Sequence, residues 1–261
     1  MADSSLDSKN RFSSRVDAYV AARPRYPRQV IDHLRSAIGM TPQWQIVDLG
    51  SGTGISCELF LENGNPVTAV EPNAAMRSAA EKSLRAFASF RSVNGAAEAT
   101  TLADQCADLV VAAQAFHWFD IPAARRETLR ILRPNGWTLL MWNNRQLGGA
   151  PFLEAYEELL ITFGTDYLKI RHNNIGDAEL SAYFGAGGWK TATFANNQHL
   201  DWDGLRNRVL SSSYIPQPGD ARYEPMLARL REMFDRHHDA QDRVTIEYQT
   251  ELFYGRPSYN S

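Results

Sequence analysis

The rhythm of hydrophobic and polar positions changes a little past the middle of the chain. Between residues 45 and 142, short β-rich apolar runs alternate with stretches whose apolar residues recur at helical spacing. That alternation predicts a parallel sheet covered by helices, because a parallel strand pair needs a crossover long enough to hold one. Strands are predicted at 45–49, 66–70, 90–94, 108–112 and 137–142, with helices over 55–62, 73–84 and 122–132. Asn73, after Pro72, suits a helix N-cap, and Met76, Ala79, Ala80 and Leu84 then follow along one face. Arg133-Pro134-Asn135-Gly136 predicts a turn into the fifth strand.

Beyond Asn143 the alternation loosens. Residues 151–163 place Phe152, Leu153, Tyr156, Leu159, Leu160 and Phe163 on one helical stripe, and 225–238 do the same with Met226, Leu227, Leu230, Met233 and Phe234. A glycine- and aromatic-rich segment, 183–189, lies between them. Two β-like runs remain, 191–200 and 243–254; the alternation of Val244-Thr245-Ile246-Glu247-Tyr248-Gln249 fits an edge strand. No clean domain boundary is visible.

Composition narrows the function classes. With 261 residues and 44% hydrophobic side chains, a full core is within reach without disulfides or structural metal. Twenty-seven basic against 30 acidic residues give a net charge of -3, which argues against nucleic acid as the main partner. Cys57 and Cys106 form no CxxC pair, which excludes a cysteine-rich zinc site and suits a reducing cytosol. The start has no basic head before an apolar block. The longest apolar stretch, 109–119, holds Gln114 and His117 and falls well short of the ~20 residues a membrane span needs. A soluble cytoplasmic protein is expected.

The most informative stretch is Val47-Asp48-Leu49-Gly50-Ser51-Gly52-Thr53-Gly54. A glycine-rich turn between strand and helix lets the backbone approach a nucleotide-like ligand at the carboxyl edge of the sheet. Glu71, at the end of the next predicted strand, can accept hydrogen bonds from both hydroxyls of a ribose. Two ligand classes use this layout. Dinucleotides set a pyrophosphate on the helix N-terminus and favour G-x-G-x-x-G. Here the spacing is G-x-G-x-G, with Asp48 two residues before the first glycine. A carboxylate there repels a diphosphate and favours an ammonium or sulfonium group, so the charges point to S-adenosylmethionine rather than NAD.

With these residues in place, the sequence resembles the class I S-adenosylmethionine-dependent methyltransferases. The resemblance covers roughly residues 12–143 and adds Glu71-Pro72-Asn73, Asn94-Gly95-Ala96-Ala97-Glu98, Ala113-Gln114-Ala115-Phe116-His117-Trp118-Phe119 and Leu132-Arg133-Pro134-Asn135-Gly136-Trp137. The run Tyr19-Val20-Ala21-Ala22-Arg23-Pro24-Arg25-Tyr26-Pro27 is similar to the opening of a subgroup that includes trans-aconitate-type enzymes. The resemblance implies a Rossmann-like, seven-stranded, mostly parallel sheet with an antiparallel C-terminal strand and helices on both faces. It also implies one domain over 1–261, with a helical lid at 1–44, a cofactor-binding core at 45–147 and substrate-side helices and closing strands at 148–261.

Site roles follow from the same resemblance. Gly50, Ser51, Gly52 and Gly54 would face the amino-acid half of S-adenosylmethionine, with Asp48 near its positive end. Glu71 and Pro72 would hold the ribose, Ala97 would offer its N–H to the adenine edge, and Glu98 would flank it. Ala96 stands where many relatives carry an aspartate for the adenine amino group. Gln114 and Ala115 would lie beneath the methionine moiety, Arg23 would pair with its carboxylate, and Tyr19 and Tyr26 would cover it. Tyr26, Trp118, Phe119, Trp142 and Tyr214 would wall the acceptor pocket, with Asn143, Asn144 and Arg145 contacting the acceptor; Arg145 would suit an anionic one.

A sulfonium methyl is already activated, so the protein has to align acceptor, carbon and sulfur and keep water out. No metal constellation is present, and His237-His238 reads as a solvated helix end. A carboxylate acceptor needs no base, whereas a phenol, amine or carbon acid does. His117 is the candidate proton acceptor at the mouth, although an aromatic trio that shapes the pocket explains His117-Trp118-Phe119 equally well. The N/D-P-P-Y/F signature of enzymes acting on DNA-base amines is missing after the fourth strand, which favours a small-molecule acceptor. An NAD-type oxidoreductase and a non-catalytic cofactor-binding module are the alternatives.

Overall fold

The structure, a computed structural model, describes residues 23–165, 167, 175–212 and 214–258. Five parallel strands form the left and centre of one sheet: β1 (Ile46–Leu49), β2 (Val67–Val70), β3 (Phe90–Val93), β4 (Ala107–Ala113) and β5 (Leu132–Arg145). The chain builds outward from β1 to β3, then returns to set β4 on the other side of β1. That reversal creates a crevice at the carboxyl ends of β1 and β4, where open α/β sheets bind ligands. Two further strands, β6 (Lys190–Leu200) and β7 (Val244–Gly255), complete the order β3-β2-β1-β4-β5-β7-β6, with β7 antiparallel to both neighbours.

One expectation needs correction here. The run in β7 predicted as an edge lies inside the sheet, and β6 forms that edge instead. Alternation along a strand reports what covers its two faces, not whether it has neighbours in the plane. The turn at 133–136 takes an unexpected form too. Pairing jumps from Ala107–Leu132 to Leu109–Trp137, so these four residues bulge from the ladder, with Asn135 at φ +65°.

Helices cover both faces. On one, α1 (Gln29–Ile38) and α2 (Ile55–Glu62) pack Ile31, Leu34, Cys57 and Phe60 against Ile46, Leu109, Met141 and Leu252 of the sheet. Next to α2, α3 (Ala74–Ser83) begins where expected: the Asn73 side chain accepts from Ala75 and Met76 N–H at 3.0 and 3.1 Å. On the opposite face, α4 (Ile121–Ile131) packs Ala124 and Ile131 against Val47, Leu49 and Val110.

The region after β5 supplies α5 (Pro151–Phe163), α6 (Asp177–Phe184), α7 (Trp202–Leu210) and α8 (Tyr223–His237). Of these, α6 joins α4 beneath the sheet, where Tyr183 and Phe184 meet Phe116, Leu140 and Trp142. The other three enclose a separate core with Ile246 and Tyr248 of β7. Register pairs Arg145 with Tyr248, so the β5–β7 ladder runs on beyond the crevice and carries these helices above it. Among the described residues, no helix is long and apolar enough to cross a membrane.

Candidate active site

The glycine turn leaves β1 and enters α2 under tight control. Gly50 has φ +63°, its N–H bonds to Val70 O at 2.9 Å, and a Cβ there would sit 2.8 Å from the Cβ of Ala115. The ring of Phe119 would lie 3.4 Å from the same atom, so turn, β4 end and aromatic trio meet at Gly50. Gly52, at φ +56°, differs: a Cβ would meet nothing within 4 Å. Its left-handed backbone rather than packing requires glycine, and that side of the turn faces open space.

Glu71 anchors the turn. Its Oε2 accepts the Gly52 N–H at 3.0 Å and its Oε1 the Asn73 N–H at 2.8 Å, tying the turn to the end of β2. A carboxylate has about four acceptor positions, so fixing the backbone and meeting ribose hydroxyls are compatible tasks. Arg77, which the sequence reading did not single out, braces this corner by donating to Glu71 O, Pro72 O and Asn94 Oδ1 at 2.8, 2.8 and 3.0 Å.

Asp48 is fully buried beneath the turn. Its Oδ2 accepts from Ser56 Oγ at 2.5 Å and Cys57 Sγ at 3.1 Å, while Oδ1 has no hydrogen-bond partner among the described residues. Burial raises its pKa to about 6, opposed by those two hydrogen bonds and assisted by the nearby Glu71 charge. Ser51 Oγ and Thr53 Oγ1 are likewise buried without partners. Three orphaned oxygens in one turn are a concentration that a polar ligand would relieve.

The rim continues along the other strand ends. Ala97 is buried, and the loop around it is pinned by reciprocal Ala96 and Ala99 backbone bonds at 3.2 and 3.0 Å. Glu98 Oε1 accepts from Asp120 N–H at 2.9 Å, linking this loop to the start of α4. Gln114 adopts φ +55°, rare for a residue with a side chain, and its Nε2 donates to Asn143 O at 3.2 Å. His117 and Trp118 are exposed. Partial burial on its inner side lowers the His117 pKa from its ordinary value despite the exposure of the ring, and it has no hydrogen-bonded carboxylate among the described residues.

Other expected positions fall elsewhere. Trp142 is not brought to the crevice: it packs between the rings of Phe116 and Phe253, centroids at 6.4 and 5.8 Å. Strand alternation turns Met141 to the α1–α2 face and Trp142 to the α4–α6 face. Arg145 is not open to an acceptor either, since its guanidinium pairs with Glu157, donates to Tyr167 Oη at 2.7 Å and lies 4.9 Å over the Tyr156 ring. Tyr26 packs against the α1–α2 core, and the Tyr214 ring lies tilted against that of Tyr167, centroids 5.1 Å apart. Asn144 Nδ2 donates to Glu251 at 2.7 Å. Arg23 Nη2 donates to Ser211 O at 3.4 Å. Tyr19 lies outside the described residues. Among the described residues, no group of three or more His, Cys, Asp or Glu side chains could hold a metal ion.

Comparison with known proteins sets this geometry in context. A family described as "Methyltransferase domain" matches residues 47–140. An uncharacterised methyltransferase of Mycobacterium tuberculosis is 37% identical over 145 residues, 56% of this chain and 57% of the relative. The chain therefore spans just over half the length of that curated relative. A methyltransferase-like protein of Schizosaccharomyces pombe, also uncharacterised, is 29% identical over 93% of both chains. Among solved structures, a candidate type II methyltransferase of Anaeromyxobacter dehalogenans superposes with TM-score 0.61 at 16% identity, covering 91% of this chain and 99% of that one. At that identity the likeness is one of fold.

Proposed function

We propose that the chain is a class I S-adenosylmethionine-dependent methyltransferase that transfers a methyl group to a small-molecule acceptor. The observation that carries this reading is the turn at 50–54, tied to Glu71 and open on the Gly52 side. S-adenosylmethionine, when bound, supplies a sulfonium-activated methyl group, passed by in-line displacement with S-adenosylhomocysteine as product. Gly50, Ser51, Gly52 and Gly54 hold the amino-acid half. Glu71, with Pro72, orients the ribose. Ala97 and Glu98 frame the adenine, while Gln114 and Arg23 position the methionine end. Asp48, with its bare Oδ1 below the turn, favours a cationic ligand over a diphosphate.

On the acceptor side, Trp118 and Phe119 exclude water. His117 is the pocket's candidate proton acceptor. With its pKa lowered it is unprotonated and a weaker base than a free imidazole, since an effective base titrates near the working pH. An oxygen acceptor already ionised, such as a carboxylate, asks no more of it. A net charge of -3 and two free cysteines suit a cytoplasmic enzyme that does not act on nucleic acid.

Calorimetric titration with S-adenosylhomocysteine and with NAD tests the reading. Micromolar or tighter binding of S-adenosylhomocysteine is expected, with NAD much weaker, and the reverse order would overturn it. Glu71→Ala removes two charge-assisted anchors and should weaken S-adenosylhomocysteine roughly 10- to 100-fold. An unchanged affinity would remove the ribose assignment.

A further inference from the structure

On the sheet face that packs against α1 and α2, three neighbouring strands turn from apolar to polar at one level. Along β5 the row of Leu139 and Met141 ends in Asn143. Along β7, Tyr254 and Leu252 give way to Thr250, and along β6, Ala192 and Phe194 give way to Asn196. Register sets Asn143 beside Thr250, and Thr250 beside Phe194, two residues before Asn196. Thr250 is fully buried and Asn143 is 8% exposed. Buried polar groups are costly unless they are bonded, so the partners of this row identify what it receives.

Thr250 Oγ1 donates to Asn143 Oδ1 at 2.5 Å, and Asn196 Nδ2 donates to the same oxygen at 3.1 Å. The other half of the Asn143 amide serves the segment before α1. Its Nδ2 donates to Pro24 O at 3.4 Å and Arg25 O at 3.3 Å, and Asn196 Nδ2 reaches Arg25 O at 2.8 Å. Carbonyls only accept, which fixes the orientation of the amide. Asn143, expected to contact the acceptor, thus has both halves of its amide engaged within the protein.

The segment so held, 23–27, is pinned between the first turn of α2 and the carboxyl end of β5. Arg25 pairs with Glu58, whose N–H bonds to Gly54 O at 3.0 Å at the end of the glycine turn. The Asn143 carbonyl, in turn, accepts from Gln114 Nε2 at 3.2 Å. One residue therefore bonds the backbone next to Arg23 through its side chain and Gln114 through its main chain.

We propose that Asn143 is a positioning residue for the amino-acid end of the cofactor, holding Arg23 and Gln114 in place without touching the acceptor. The assignment rests on the methyltransferase reading, in which those two residues meet the methionine end. Replacing the side chain at 143 loosens the segment but leaves the backbone bond to Gln114, so its effect runs through Arg23.

The test compares two ligands on the purified full chain by calorimetric titration. One is S-adenosylhomocysteine; the other is 5′-methylthioadenosine, which keeps the adenosine and lacks the amino-acid end. Asn143→Asp keeps the shape and the accepting oxygen but replaces the donor with a second oxygen facing two carbonyls. S-adenosylhomocysteine should bind about tenfold more weakly, while 5′-methylthioadenosine stays within twofold of the wild type. A merely structural role lowers both affinities or neither, and either result overturns the proposal. In an Arg23→Ala background, Asn143→Asp should weaken S-adenosylhomocysteine by less than twofold further, because the two residues act as one unit. A further loss as large as in the wild-type background would also overturn it. If Asn143→Asp does not fold, Asn196→Ala decides instead, since it removes the 2.8 Å bond to Arg25 O from a half-buried position. About threefold weaker S-adenosylhomocysteine with unchanged 5′-methylthioadenosine is then expected, and equal changes in both, or none, overturn the proposal. A wild-type chain that binds neither ligand would instead strike the methyltransferase reading itself.

Discussion

The glycine turn and the helical roof above it solve the same problem, holding polar groups in place at the edge of a sheet, by opposite means. In the turn, the contacts use a backbone N–H, Gly50 to Val70 and Gly52 to Glu71, or join side chains within one strand-turn-helix unit, Asp48 to Ser56 and Cys57. In the roof, side chains meet side chains of other elements: Arg145 with Glu157 and Tyr167, Arg208 with Tyr248, Thr250 with Asn143. A backbone-built site tolerates little change in shape and serves a constant ligand. A site built from side chains can be altered one residue at a time, which suits the half of the molecule that chooses the acceptor.

Three measurements sharpen or break that contrast. The largest effect is expected in the roof, where Glu157→Gln leaves Arg145 buried without its carboxylate. That should cost about 3–5 kcal/mol of folding stability, seen as a markedly lower denaturation midpoint, while S-adenosylhomocysteine affinity stays unchanged. If affinity falls with it, the two regions are not separable.

Next comes Asp48, whose folded pKa of about 6 lies above the ordinary 3.8. Below pH ~4 it is protonated in both states and costs nothing. Between ~4 and ~6 the unfolded chain releases a proton that the folded chain keeps, so stability falls as pH rises, by about 3 kcal/mol in all. Urea unfolding at pH 4.5 and 7 should show this slope in the wild type relative to Asp48→Asn; parallel profiles would mean that Asp48 is not destabilised by its burial.

The smallest effect on the fold is expected at Gly52→Ala. No atom obstructs the methyl group, so left-handed strain alone costs about 1–2 kcal/mol. S-adenosylhomocysteine affinity should fall by more than tenfold, because the added group enters the space the ligand would use. Equal loss of stability and affinity would mean that the open side of the turn is not the binding side.

The same contrast decided what could be read from the sequence. The Asp48–Gly54 turn, the Asn73 cap and the five parallel strands are local patterns, and the chain spells them out. The roof is not local. The partners of Arg208 include Tyr248, 40 residues on, and nothing near Arg208 in sequence marks it as buried; an Arg145 close to the β5 end drew attention instead. Two missed helices did carry signals. Asp201 caps α7 by accepting the Gly204 N–H at 2.8 Å, and Glu179 reaches back to Gly176 N–H at 3.1 Å before α6. Both helices are short, nine and eight residues, so apolar periodicity is faint. Trp142 was misplaced because an aromatic at a strand's carboxyl end looks the same whichever face it takes.

The position of β7 bears on how this molecule is made. Among the described residues, Lys190–Leu200 has no neighbour in the sheet except Val244–Gly255. During synthesis, β6 must therefore wait, unpaired, while α7 and α8 are translated, and β5 presents an open flank for the same interval. Such a nascent chain offers bare strand edges to other chains, so an arrest before residue 244 would yield an aggregation-prone product rather than a smaller working one.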